Sequence, residues 1–357
     1  MKHLLVDITA HGFGHLAQTA PVVNALVRRL PNLRVTVRSA VPLAILQQRF
    51  ECQFQHIPLA IDFGMQMIDA VEVDVANSLL AYRNYHAHWS EKVALAAAEM
   101  AALKPDVLLA NVPYLSLAAA KQVSIPAIAM CCLNWADIYR HYAGDTPTEK
   151  LIYQQMLNAY NSASVFYKIQ PTMPMSDLHN AQMIGPIAQL GRNRRAEIDQ
   201  LLKLNTADKL VVIGMGGINY RLPVEQWPSF SGVHWIVPAE WKITRNDVSS
   251  LAQLPLSFSD VLASCDAVIT KPGYGMFAEA ACGGVPVLYV SRGDWPEQPY
   301  LLAWLKQQGV CREVSAAQLF TGSFADELQA LWSLEKPSIP VANGAEQVAL
   351  KLHDLLL

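Results

Sequence analysis

No apolar run in this 357-residue chain approaches the roughly 20 residues that a membrane-spanning helix needs, so no membrane span is expected. Charge is scarce: 16% of residues are charged and the formal net charge is -3. Basic residues gather only in fragments such as "GRNRR" at residues 191–195, which read as solvated surface, so a nucleic-acid partner has no electrostatic footprint. CxxC pairs are missing as well. The six cysteines, at positions 52, 131, 132, 265, 282 and 311, read as buried free thiols of a reducing compartment rather than disulfides or zinc ligands. No HxxxH falls on a helix, and "YHAHW" at residues 85–89 has no acid or cysteine nearby. It reads as a surface aromatic–histidine helix, and no metal site is expected. The apolar run of "MKHLLVDITAHGFGH" stops at Asp7, too early for a secretory leader. A cytoplasmic location is the expectation.

What is present is apolar side chain, at 52% of residues, in a length that calls for two domains. Strand-like and helix-like runs alternate. "HLLVDIT" passes through a glycine turn into "LAQTAPVVNALVRRL", and "LRVTVRSA", "PDVLLAN" and "PAIAMCC" follow with helical stretches between them. After "MIGPIAQLGRNRR" the rhythm restarts with "KLVVIGMGG", "VHWIVP", "DAVITKPG" and "PVLYV". This is the βαβ rhythm of a parallel sheet covered on both faces. The fold class is therefore α/β, with two doubly wound Rossmann-like domains facing a cleft. The first domain spans residues 1–188, the second spans 189–340, and a terminal helix covers 341–357. Ligands of such sheets bind outside the carboxyl ends of the strands. Three glycine turns, at residues 12–14, 214–217 and 273–275, follow strands and point there.

In "AVITKPGYGMFAEAACGGVPVLYVSRGDWPEQP", starting at Ala267, the turn "TKPGYG" ends a strand and opens a helix. The first N–H groups of a helix lack intrahelical partners and, with the helix dipole, bind anions. Glycines let a phosphate approach, and Lys271 adds a full charge. Glu279, six residues after Gly273, is an acid among alanines whose burial needs a partner, and a ribose diol is a fitting one. In "SRGDWPEQP", Asp294, Glu297 and Gln298 are the polar types that hold sugar hydroxyls. A tight turn, a helix cap and a solvated loop explain the same spacing without a ligand.

These residues resemble the donor-sugar motif of GT-B glycosyltransferases: Lys271, Gly273 and Glu279, then Trp295, Pro296, Glu297 and Gln298, with the loop one residue shorter before the acid–Gln pair. The unit is similar to the carboxy-terminal part of glycosyltransferase family 28. "FSDVLASCDAVITKPGYGMFAEA" is more closely similar to the amino-terminal, glycosyltransferase-like region of L-arabinokinase-type proteins and their stand-alone relatives. That likeness extends through "LYVSRGDWPEQPYLLAWL" to "HGFGH" and "CLNWADIY", while the kinase portion has no counterpart. The resemblance implies transfer of a sugar from a nucleotide-diphosphate donor, such as a UDP-sugar, to an acceptor hydroxyl. Lys271 and the turn at Gly273, Tyr274 and Gly275 would bind the diphosphate and Glu279 the ribose, while Asp294, Glu297 and Gln298 would read the sugar. Gly214, Gly216, Gly217 and Asn219 would face the phosphates, with the base near Ser257 and Phe258. Retaining members usually carry glutamate where Lys271 stands, so inversion is favoured. Lys271 and the helix terminus would serve in place of a metal.

In "AHGFGHLAQTAP", His15 matches the Gly-His of inverting members, whose imidazole takes the acceptor's proton. His11, Gly12, Gly14, Asn134 and Trp135 would form the acceptor side. Two other readings stand beside it. His15 could cap the following helix, and "GFGHLA" fits G-x-G-x-x-A, with Arg38 and Ser39 suiting NADP; the latter leaves residues 271–298 unexplained. Gln18 stands where relatives have arginine, and Asn111 where many place the aspartate that orients the histidine, so His15 would be a weaker base or would use Asp137. The same departures keep a non-catalytic sugar-nucleotide sensor open, and a nucleotide-sugar epimerase of the same fold is a further alternative.

Overall fold

Strands buried on both faces read as near-continuous apolar runs, as "HLLVDI" at residues 3–8 and "VLLAN" at 107–111 do here. In the computed structural model, which describes residues 1–69, 72–216 and 220–357, the first sheet has seven parallel strands. These are β1 (His3–Ile8), β2 (Arg34–Arg38), β3 (Gln55–Ile57), β4 (Val107–Asn111), β5 (Ala127–Cys131), β6 (Val165–Ile169) and β7 (Ala181–Ile184), in the order β3-β2-β1-β4-β5-β6-β7. Leu4, Leu5 and Val6 of β1 and Leu108 and Leu109 of β4 have no exposed surface. Across β1 and β2, Asp7 stands opposite Arg38, and the two close a buried ion pair, with Nε–Oδ1 at 2.8 Å and Nη2–Oδ2 at 2.6 Å.

The second sheet has six parallel strands. These are β8 (Lys209–Ile213), β9 (Val233–Val237), β10 (Val248–Ser250), β11 (Ala267–Thr270), β12 (Val287–Tyr289) and β13 (Cys311–Glu313), in the order β10-β9-β8-β11-β12-β13. Its core gathers Trp227, Trp235 and Phe324, whose rings meet edge to face at 5.0 to 6.0 Å.

In both sheets the chain starts in the middle, works outward, then returns beside its first strand. The order therefore reverses between β1 and β4, and again between β8 and β11. At such a switch point neighbouring connections leave in opposite directions and open a crevice at the carboxyl ends of the strands.

Two units separate by their contacts: Met1–Ile68, Val73–Ile187 and Ala342–Leu357 form one, and Asp69–Glu72 with Ala188–Val341 the other. The terminal helix Gly344–Leu356 belongs to the first unit. It buries Val348, Ala349, Leu352 and Leu356, and its Glu346 pairs with Arg29 at 2.7 Å. The segment "YHAHW" departs from the expected surface helix. His86 is buried, because its ring stacks on Trp89 and Tyr114 and its nitrogens bond Gln155 and Tyr114 at 2.7 and 3.0 Å. Burial lowers its pKa to about 4, so the ring is neutral core.

Candidate functional site

β8 and β11 end side by side at the switch point of the second unit, joined where the Gly214 N–H donates to Ile269 O (2.9 Å) and Thr270 Oγ1 to Gly214 O (2.6 Å). A side chain at Gly214 would meet Met276 Cε at 2.6 Å and Phe258 Cζ at 3.4 Å, so this strand end stays narrow. Gly216, at φ +81, has the left-handed backbone that glycine tolerates, and Lys271 Nζ stands 3.9 Å from where its Cβ would be. Gly217 and Asn219 lie outside the described residues.

Lys271 leaves β11 beside this turn. Gly273 caps the helix Tyr274–Gly283 without a side-chain hydrogen bond, and the first amides of a helix, here at Tyr274 and Gly275, point out of its amino terminus. Glu279 follows in the second turn, 4% exposed.

The loop after β12 is folded by its own side chains. Gln298 Oε1 accepts from Arg292 N (2.7 Å) and its Nε2 donates to Arg292 O (3.3 Å). The Trp295 indole N–H donates to Glu297 at 3.0 Å, and the Arg292 guanidinium lies over the Trp295 ring at 4.4 Å. Gln298 thus shapes the loop. Asp294 is exposed, and Glu297 is buried. The loop turns a residue without an assigned role, Arg292, inward beside Lys271. Burial, followed by the charge of Arg292, lowers the Lys271 ammonium to about 8, while Glu297 acts in the opposite direction. Two cations beside one carboxylate at a helix amino terminus are a grouping suited to a polyphosphate.

In the first unit, the turn after β1 leads into the helix Gly14–Arg29, whose first turn carries His15, 5% exposed. Gly12 and Gly14 have open space where a side chain would be. β4, the neighbour of β1 at this switch point, ends in Asn111, whose Oδ1 is 2.8 Å from His15 Nδ1. Asn111 Nδ2 donates to Gln18 Oε1 at 3.0 Å, which turns the Asn111 oxygen towards His15. In its neutral form the ring therefore donates from Nδ1, and Nε2 carries the lone pair. Among the described residues nothing hydrogen-bonds Nε2.

Asp137 does not reach His15. Asn134 caps the helix Trp135–Tyr142 by accepting from Asp137 N (2.8 Å) and donates its Nδ2 to Asp137 Oδ2 (3.0 Å), while Tyr153 donates to Oδ1 (3.4 Å). Three-residue spacing at a helix start favours that local pairing over a distant histidine. Trp135 is fully buried, with His11 and His15 at ring distances of 5.3 and 5.7 Å, so it is a wall of the site rather than an open platform.

Sequence reasoning missed Asp62, in a stretch without periodicity. It is buried, Thr9 Oγ1 donates to its Oδ2 at 2.6 Å, and burial raises its pKa to about 6, opposed by Thr9 and then His15. It also missed Cys131, read as an inert thiol, whose sulfur stands 3.6 Å from His15 Nδ1.

Among the described residues no group of His, Cys, Asp and Glu is arranged to hold a metal ion, and no helix is long and apolar enough to cross a membrane.

No protein-family model matches the chain. It is 22% identical over 366 residues to L-arabinokinase of Arabidopsis thaliana, covering 99% of this chain and 34% of that protein, so it spans about a third of that relative. Among solved structures, the calicheamicin glycosyltransferase CalG4 superposes with a TM-score of 0.60 at 14% identity, covering 100% of this chain and 94% of the other. UGT89C1 of Arabidopsis thaliana, complexed with UDP, gives 0.58 at 15% identity over 100% of both chains. A candidate UDP-N-acetylglucosamine 2-epimerase of Listeria monocytogenes gives 0.59 at 16%, covering 99% and 97%. With two Rossmann-like α/β units in chain order and full-length similarity of this kind, the protein has the GT-B fold.

Proposed function

We propose that the protein is a glycosyltransferase that moves a sugar from a nucleotide-diphosphate donor to an acceptor hydroxyl, with inversion and without a metal ion. The observation that carries this is the pairing of Lys271 and Arg292 at the start of the helix Tyr274–Gly283, with Glu279 one turn deeper. The two cations and the helix amides hold the diphosphate and stabilise its charge as the leaving group departs. Glu279 accepts from the ribose hydroxyls. Glu297 and the exposed Asp294 read the sugar, and Gln298 acts by keeping the loop folded.

His15 Nε2 takes the proton from the acceptor hydroxyl. The acceptor oxygen bonds to the anomeric carbon, the bond from that carbon to the diphosphate oxygen breaks, and its electron pair leaves with the diphosphate. Attack opposite the leaving group inverts the centre. UDP is the nucleotide we favour, as the UDP complex of UGT89C1 supports. The identity to L-arabinokinase supports a kinship with L-arabinokinase-type proteins. We take the reaction to run in the cytoplasm, as the cysteine-bearing, disulfide-poor sequence suggests.

Calorimetry with nucleotides tests the donor site. Glu279→Ala should weaken UDP at least about tenfold, as expected for loss of a charge-assisted hydrogen bond, and leave inorganic pyrophosphate unchanged. Equal UDP affinity in the two proteins would remove Glu279 from the site. The similarity to the Listeria protein favours one second reading, an epimerase. Deuterium entering the sugar in heavy water without acceptor would establish it over transfer.

A further inference from the structure

A base that accepts a proton becomes a cation, and the site around His15 must supply negative charge to hold it. Asn111 brings an oxygen and no charge, and Asp137 is bound to Asn134. We propose that Cys131, held as a thiolate at the end of β5, is the negative partner of His15, the place a carboxylate would fill. It acts as a positioning residue: it fixes the ring and stabilises its protonated form, while His15 touches the acceptor. This inference rests on His15 being the base of the proposed transferase.

The geometry is a closed ring of five buried side chains. His15 Nδ1 faces Asn111 Oδ1 (2.8 Å), Asn111 Nδ2 donates to Gln18 Oε1 (3.0 Å), and Gln18 Nε2 donates to Cys132 Sγ (2.9 Å). Cys132 Sγ lies 4.0 Å from Cys131 Sγ, which closes the ring at 3.6 Å from His15 Nδ1. Each amide can point only one way if all these bonds are made. The Cys132 sulfur accepts from Gln18, which leaves its S–H able to point to Cys131. His15 approaches with N–H, and the Leu133 N–H is a third donor at the same sulfur. An S–H on Cys131 would oppose three donors, whereas a thiolate accepts from all of them.

The departures at Gln18 and Asn111 thereby become parts of one device: Gln18 orients Asn111 and engages Cys132. Burial resists charge on both partners. Even so, the donors from Cys132 and His15 draw the Cys131 thiol down to about 6, and the Cys131 charge lifts His15 to about 9. Both steps belong to the coupled pair. Among the described residues, the other titratable groups acting on it are Asp62 from the segment after β3, whose charge also favours the imidazolium, and Tyr160 at the end of the helix Pro147–Tyr160, whose ionisation is opposed by burial and then, among other charges, by that of Cys131. Asp7 lies nearby and is neutralised by Arg38.

In the reactive state Asn111 Oδ1 and the thiolate share the Nδ1–H while Nε2 takes the acceptor proton. No proton moves to sulfur, and no oxidant is involved.

Far-ultraviolet thiolate absorbance, as a difference between the wild type and Cys131→Ser, should show Cys131 already ionised at neutral pH. In His15→Gln the same titration should move above the ordinary thiol range. A wild-type titration at or above that range, unmoved by His15→Gln, overturns the proposal. In the transfer assay Cys131→Ser should lower kcat within the roughly 10²–10⁴-fold span of general-base catalysis, with donor KM unchanged. Cys131→Asp should recover part of the loss. Unchanged kcat and pH profile in Cys131→Ser also overturn it. Far-ultraviolet circular dichroism and heat unfolding of the first unit report whether each variant is folded, and the His15→Gln titration stands if neither Cys131 variant is. If the wild type transfers nothing while the thiolate signal depends on His15, the ion pair stands and the transferase reading fails.

Discussion

At Lys271, the buried ammonium exchanges its proton near pH 8, and it grips an anion only when charged. Donor affinity is therefore full below that value and falls as pH rises from 7 to 9; binding near pH 8 takes up protons, because the diphosphate favours the charged form. His15 has the opposite sign. Its basic form is uncharged, so kcat at saturating donor should rise with pH towards about 9. Affinity titrations and a kcat profile over the same range check both limbs, and parallel changes in the two quantities would contradict the assignment. Lys271, Gly273 and Glu279 were legible because they lie within nine residues and their chemistry depends on strand–turn–helix order alone. Arg292 sits in the same stretch but is turned inward by Gln298 and Trp295, which no spacing reveals. Cys131 meets His15 across 116 positions of sequence, so its neighbour is set by sheet order.

The elements that bring these groups together are ends of adjacent strands. β1, β4 and β5 are consecutive in the first sheet and deliver His15, Asn111 and Cys131; β8 and β11 deliver the glycine turn and Lys271. Alternation of apolar strands with amphipathic helices made the parallel sheets legible. Strand order was not, since a crossover can land on either side of its predecessor, and the switch points depend on it. Beneath the first switch point the Asp7–Arg38 pair locks β1 to β2 with both side chains at 3% exposure or less. Asp7→Ala leaves a buried guanidinium without its carboxylate, and denaturant unfolding should show a loss of about 3–5 kcal/mol. A loss below about 1 kcal/mol would mean that water reaches Arg38 and the pair is not a structural lock.

At the scale of the whole molecule, the proposed base and its partners lie in one unit, and the proposed donor residues that the structure describes lie in the other. The terminal helix was legible as amphipathic, but which surface it covers was not, because its partner helix is some 320 residues earlier in the chain. Ending the chain at Val341 uncovers the surface that Val348, Ala349, Leu352 and Leu356 bury. At roughly 1.5–3 kcal/mol per large apolar side chain, heat unfolding should show the first unit melting much earlier while UDP affinity persists. Loss of both together would mean that the donor site depends on the terminal helix. The most direct test of the account as a whole is calorimetric titration of UDP into the wild type and into Lys271→Met. The account predicts binding by the wild type and, in the variant, a loss of the 2–5 kcal/mol typical of removing one partner from a buried charge pair, roughly 30-fold or more in affinity. Undiminished affinity in Lys271→Met, or no binding of any nucleoside diphosphate by the wild type, would contradict it.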